Sequence, residues 1–131
     1  MTGKGTLGRR GEDIALEWLL ERGLVLRERN WRWNHKEVDL IMESADWLHI
    51  IEVKSLQEPL QLEPFEHVDH RKQLNLSSAA NHYVFEFHVS KEVHFDVVSI
   101  VFDREGNHRL EYIPEAFYPI YSGRWTDRSF K

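Results

Sequence analysis

Two acidic strand-like runs hold most of the chemistry available to this chain: Glu37-Val38-Asp39-Leu40-Ile41 and Ile50-Ile51-Glu52-Val53-Lys54. Both are built from β-branched and aliphatic residues, the composition of a buried strand, yet both carry charges. Side chains alternate along a strand, so Glu37, Asp39 and Ile41 are expected on one face of the first run. Ile50, Glu52 and Lys54 are expected on one face of the second. The turn-like Glu43-Ser44-Ala45-Asp46 between them suits an antiparallel hairpin. Such a hairpin brings Asp39 and Glu52 together, with Lys54 beside them. Two carboxylates on a half-buried sheet repel each other and lose hydration. A divalent cation relieves both costs, because hard cations take carboxylate oxygens.

The surrounding sequence must position these groups. Leu7 to about Arg22 has the period of an amphipathic helix, with Thr6 as its expected cap. Gly11, Ile14, Ala15, Trp18 and Leu19 form its apolar stripe. Glu12 falls at the edge of that stripe, near enough to the core margin for catalysis; the plainer role is to favour the helix N-terminal dipole. Gly23 ends the helix. Leu24–Trp33 reads as a first strand, Trp47–Lys54 as the third, and Ser55 to about Glu66 as a loop carrying Pro59 and Pro64, long enough to meet a substrate. A second helix is expected from Val68 to about Phe85, with Val68, Leu76, Ala79, Ala80 and Tyr83 on its apolar face. Lys72 sits in the middle of that stripe, so it must either snorkel or meet an anion. His94–Phe102 reads as a fourth strand and His108–Ile113 as a fifth, at an edge. The order α-β-β-β-α-β-β predicts an α/β fold with a mixed sheet flanked by helices. Residues 1–117 form the expected domain, and 118–131 an aromatic tail with Tyr118, Tyr121, Trp125 and Phe130.

Composition narrows the function classes. The 131 residues suffice for one domain with a real core. The absence of cysteine removes disulfides, zinc thiolates and thiol catalysis. No apolar run spans a bilayer, so no membrane partner is expected. The N-terminus lacks an apolar signal region, which predicts a cytoplasmic protein. The net charge of −5 is unevenly spread: residues 1–36 carry +3 and residues 37–131 carry −8. Nucleic-acid binding must therefore rest on a local patch, with Arg9, Arg10, Arg27, Arg29, Arg32 and Lys36 as candidates. The bland alternative is a solvated basic surface. The eight histidines are scattered, and His67, His70 and His82 form no tight ligand set with a carboxylate. There is no His-Glu-x-x-His helix, glycine-rich phosphate loop or Gly-x-Ser-x-Gly turn, which argues against zinc hydrolases, nucleotide-dependent enzymes and serine hydrolases.

The set Glu12, Asp39, Glu52-Val53-Lys54 resembles the acid–(Asp/Glu)-x-Lys signature of the restriction-endonuclease-like (PD-(D/E)xK) fold. Its spacing is also similar to that of archaeal Holliday junction resolvases. Nearly the whole chain, from about residue 5 to 117, resembles the YraN-like family. The matching stretches are Gly8-Arg9-Arg10-Gly11-Glu12-Asp13-Ile14-Ala15, Arg29-Asn30-Trp31-Arg32, Glu37-Val38-Asp39-Leu40-Ile41, Ile51-Glu52-Val53-Lys54-Ser55, Val68-Asp69-His70-Arg71-Lys72 and Phe95-Asp96-Val97-Val98. Lys36, Leu56 and His94 depart from the family pattern, which has Gly, Arg and Arg there. The resemblance implies a nuclease-like site, with Asp39, Glu52 and the Val53 carbonyl holding Mg²⁺ or Mn²⁺. Lys54 and Glu12 would complete the catalytic set, and Lys72, Arg9, Arg10 and Arg32 would bind substrate. Nucleic acid, expected to be DNA, is the implied partner, and a homodimer is left open. The competing expectation is a catalytically silent member of the same fold that binds nucleic acid or protein.

Overall fold

The computed structural model describes residues 5–60 and 68–119. Its elements are α1 (Thr6–Glu21), β1 (Val25–Trp33), β2 (Lys36–Glu43), β3 (Trp47–Gln57), α2 (His70–Glu86), β4 (Glu92–Phe102) and β5 (His108–Phe117). The expected order α-β-β-β-α-β-β and the mixed α/β class are therefore observed. The five strands lie in chain order, β1 to β5. Among the described strands only β3 and β4 pair in parallel, and α2 is the crossover between them. A parallel pair requires such a long connection, which places a helix on the sheet.

Each helix covers one face. Leu76, Ala79, Ala80 and Tyr83 of α2 pack on Val38, Ile41, Leu48, Ile50 and Phe95. Ala15 and Leu19 of α1 pack on Leu40, Met42, Ile51, Val98 and Ile100. Neighbours such as Ile50 and Ile51 serve opposite cores, as strand alternation requires. Gly11 lets α1 approach β3 closely: a Cβ there would collide with the Ser55 side chain, whose own Cβ would lie 3.0 Å away.

Several boundaries differ from the sequence reading. Gly5, not Thr6, is the N-cap of α1, and no side chain bonds there. α2 begins after Val68, because the Asp69 carboxylate caps it by accepting the Lys72 amide at 2.8 Å. β3 runs past Lys54 into the expected loop because each residue from Trp47 to Gln57 pairs with β4. β5 continues to Phe117, carrying Pro114 on an edge strand where a missing donor is tolerated. Pro64 and Glu66 of the expected loop lie outside the described residues, as do His67 and the tail residues Tyr121, Trp125 and Phe130.

Candidate active site

The site lies where β2 and β3 part. Their antiparallel register ends at Leu40↔Ile51. The next rung would set Asp39 opposite Glu52, and there a side chain replaces the ladder: the Val53 amide donates to Asp39 Oδ2 at 2.8 Å. Asp39 is also skipped on its other side, between the pairs Arg29↔Leu40 and Trp31↔Val38. Its would-be partner Asn30 has a left-handed φ of 54°, which interrupts the pairing of β1 with β2 there. Strict alternation fails at this point. Val38 and Leu40 should share a face but pack into opposite cores.

Glu52 is 4 % exposed and faces two cations. Its Oε2 lies 3.1 Å from Lys72 Nζ and 3.7 Å from Lys54 Nζ. Its Oε1 is buried without a hydrogen-bond partner among the described residues. Burial, and then the neighbouring charge of Asp39, push the Glu52 carboxyl up to about 7; Lys72 and Lys54 pull in the opposite direction. Lys72 thus meets an anion, while part of its side chain stays in solvent. Asp39, Glu52, Lys54 and Lys72 are brought together from three elements.

The other candidates are placed differently. Glu12 is buried on α1 and accepts from Arg29 Nε at 3.3 Å, within a second ion-pair cluster that includes Asp13. Arg32 lies 3.5 Å from Glu37 at the end of the β1–β2 hairpin. Arg10 points to the β4–β5 turn, donating to the Gly106 carbonyl at 2.8 Å and stacking over Phe102. Arg9 is exposed on the first turn of α1.

The sequence reading missed one buried polar network. His49, His94 and Asp96 bring their ligand atoms within 4.8 Å of one another. The distances favour hydrogen bonding over metal ligation. His49 Nδ1 is 2.7 Å from Asp96 Oδ2, and its Nε2 is 2.9 Å from Ser44 Oγ. Asp96 also accepts from Tyr112 Oη at 2.6 Å and from the Glu115 amide at 2.8 Å. Burial, then the bond to Asp96, raises the Tyr112 hydroxyl above its usual range. His94 stacks on Trp47 with ring centres 3.7 Å apart. The parallel register His49↔His94 creates this cluster, and no spacing along the chain signals it.

The fold and site define a small mixed α/β protein with two carboxylates and two lysines at the splay of its central strands. A model of the family described as "Uncharacterised protein family UPF0102" matches residues 11–100, a stretch containing Glu12, Asp39, Glu52, Lys54 and Lys72. A UPF0102 protein of Bacteroides thetaiotaomicron is 38% identical over 113 residues, covering 86% of this chain and 93% of its own. One from Porphyromonas gingivalis is 37% identical, covering 84% of this chain and 82% of its own. One from Parabacteroides distasonis is 34% identical, covering 90% and 97%. The chain belongs to the UPF0102 family, the YraN-like group its motifs resemble. No helix among the described residues is long and apolar enough to cross a membrane.

Proposed function

We propose that this protein is a metal-dependent nuclease of the restriction-endonuclease-like kind, hydrolysing phosphodiester bonds in structured or branched DNA. One observation carries the reading. At the strand splay, Asp39 holds the Val53 amide at 2.8 Å, and the adjacent Glu52 is flanked by Lys72 and Lys54. Asp39, Glu52 and the Val53 carbonyl would hold Mg²⁺ or Mn²⁺. The donors fit such a cation: they are hard oxygens, and Glu52 Oε1 is a buried oxygen with no hydrogen-bond partner among the described residues. The cation, when bound, polarises phosphoryl oxygens and acidifies water.

The chain's own residues supply the rest. Hydrolysis forms a bond from a water oxygen to phosphorus while the bond to the departing sugar oxygen breaks. Lys54 keeps an ammonium beside Glu52, where it orients that water or offsets charge growing on the phosphoryl oxygens. Lys72 balances Glu52 in the free protein and turns to a phosphate when substrate arrives. Glu12 is the further carboxylate on the α1 side.

The test is a cleavage screen with Mg²⁺ and Mn²⁺ over duplex, single-stranded, flap and four-way junction DNA, with RNA counterparts. Wild type should cut at least one form. Glu52→Gln should abolish cutting while keeping most binding, since phosphate contacts dominate non-specific affinity. Equal cutting by both proteins would sink the assignment. A second reading, a silent binding module of the same fold, is favoured by the Lys72–Glu52 pair, which gives the site an internal cation. Nucleic-acid binding without cleavage of any form would select it.

A further inference from the structure

Beside the carboxylates lies a cavity of about 220 Å³, between the β1–β2 turn and the first turns of α2. Arg32, His35, Lys36, Glu37, Lys72 and Asn75 line it. Lys72 is shared, because its Nζ is also 3.1 Å from Glu52. The pocket therefore adjoins the proposed cleavage centre. Arg32, Lys36 and Lys72 face Glu37 in its wall and Glu52 beside Lys72, which leaves one net positive charge while Lys72 balances Glu52 and two when Lys72 turns into the pocket.

The walls are fixed by packing. Asn34 adopts a left-handed φ of 57°, allowing the tight turn that presents His35 and Lys36. Trp33 stacks on His82 of α2 with ring centres 4.2 Å apart and planes 9° apart. Trp31 meets Tyr83 edge-on at 5.1 Å. Lys36 Nζ lies 5.2 Å from the centre of the Trp33 ring, so the turn carries its ammonium on an anchored indole. The hairpin is thus anchored on the helix that carries Lys72.

We propose that this pocket binds the phosphomonoester at the end of a nucleic-acid strand. A phosphomonoester carries roughly −1.5 to −2 charges near pH 7 and three acceptor oxygens. An internal diester carries only one negative charge. Donors on two separate elements, the β1–β2 hairpin and α2, match the three acceptor oxygens of the monoester, and its second charge draws on Lys72 as that side chain leaves Glu52. A pocket walled by a hairpin and a helix accepts a group that ends there, whereas a continuing strand needs an open groove. Of the lining residues, Arg32, Lys36 and Lys72 are already nucleic-acid candidates in the sequence; His35 and Asn75 are the additions. The inference rests on the nuclease reading for the nature of the ligand, while its binding test needs no cleavage.

The test is fluorescence anisotropy in EDTA with one internally labelled single-stranded oligonucleotide, prepared with a 5′-phosphate, a 3′-phosphate or hydroxyl ends. Inorganic phosphate serves as competitor. One phosphorylated form should bind about tenfold more tightly than the hydroxyl form, as charge-assisted hydrogen bonds to a dianion predict. In Lys36→Met that preference should fall to within about twofold, and Lys36→Arg should restore it. Equal binding of the three forms would overturn the proposal. So would displacement by inorganic phosphate at the concentration at which the phosphorylated oligonucleotide itself competes, since the site would then recognise the free anion. A phosphate preference without cleavage would keep the pocket and remove the nuclease. Cleavage without the preference would do the reverse.

Discussion

Replacing Glu52 with Gln should stabilise the protein at alkaline pH and leave it almost unchanged at acidic pH. The Glu52 carboxyl is held at about 7, against 4.5 for an ordinary Glu, chiefly by burial and then by Asp39. Below pH 4.5 the group is protonated in both folded and unfolded chains, and its burial carries no charge penalty. Between 4.5 and 7 the unfolded chain ionises while the folded one keeps its proton, so stability falls as pH rises. Above 7 the full cost of a buried carboxylate persists. The gap between about 7 and 4.5, at 1.36 kcal/mol per decade, is about 3 kcal/mol. Gln keeps the shape and the oxygen that faces Lys72 and carries no charge at any pH. Urea denaturation of both proteins at pH 5 and pH 8.5 measures the difference. At pH 8.5 the Gln variant should gain about 3 kcal/mol, a midpoint shift of about 1–3 M urea for slopes of 1–3 kcal/mol per molar. At pH 5 the two should agree within about 1 kcal/mol. A stability difference that is the same at both pH values would refute a buried, elevated carboxyl and the electrostatic reading of the site with it.

Two other outcomes follow from the same geometry. Lys72→Met keeps the stem and removes the charge beside Glu52; calorimetry at pH 8.5, where Glu52 is ionised, should show tighter Mn²⁺ binding, while substrate turnover falls. Unchanged metal affinity and turnover would reduce Lys72 to a surface residue. Gly11→Ala should destabilise the fold by about 1–3 kcal/mol despite the better helix former, because the new methyl meets Ser55 across the α1–β3 contact. A thermal melt showing equal or higher stability would mean that α1 shifts freely.

The sequence alone determined what depends on period and local order. Hydrophobic spacing placed both helices on their cores, and the runs around Asp39 and Glu52 were strands joined by the expected antiparallel hairpin. The apolar stripe of α2 put Lys72 on the sheet-facing side, where it meets Glu52. Only the tertiary structure decided where the strands part. Alternation predicts that Val38 and Leu40 share a face. The left-handed Asn30 and the Asp39–Val53 bond accompany the break in that rule, beside the buried Glu52. Distant pairings were equally invisible. Arg10 read as a candidate phosphate ligand, but its partner, the Gly106 carbonyl, lies 96 residues away on another turn. His49 and Asp96 become neighbours only because β3 and β4 run parallel in one register. Periodicity reports which face a residue takes, whereas contact between strands depends on register, and a single chain's spacing does not encode register.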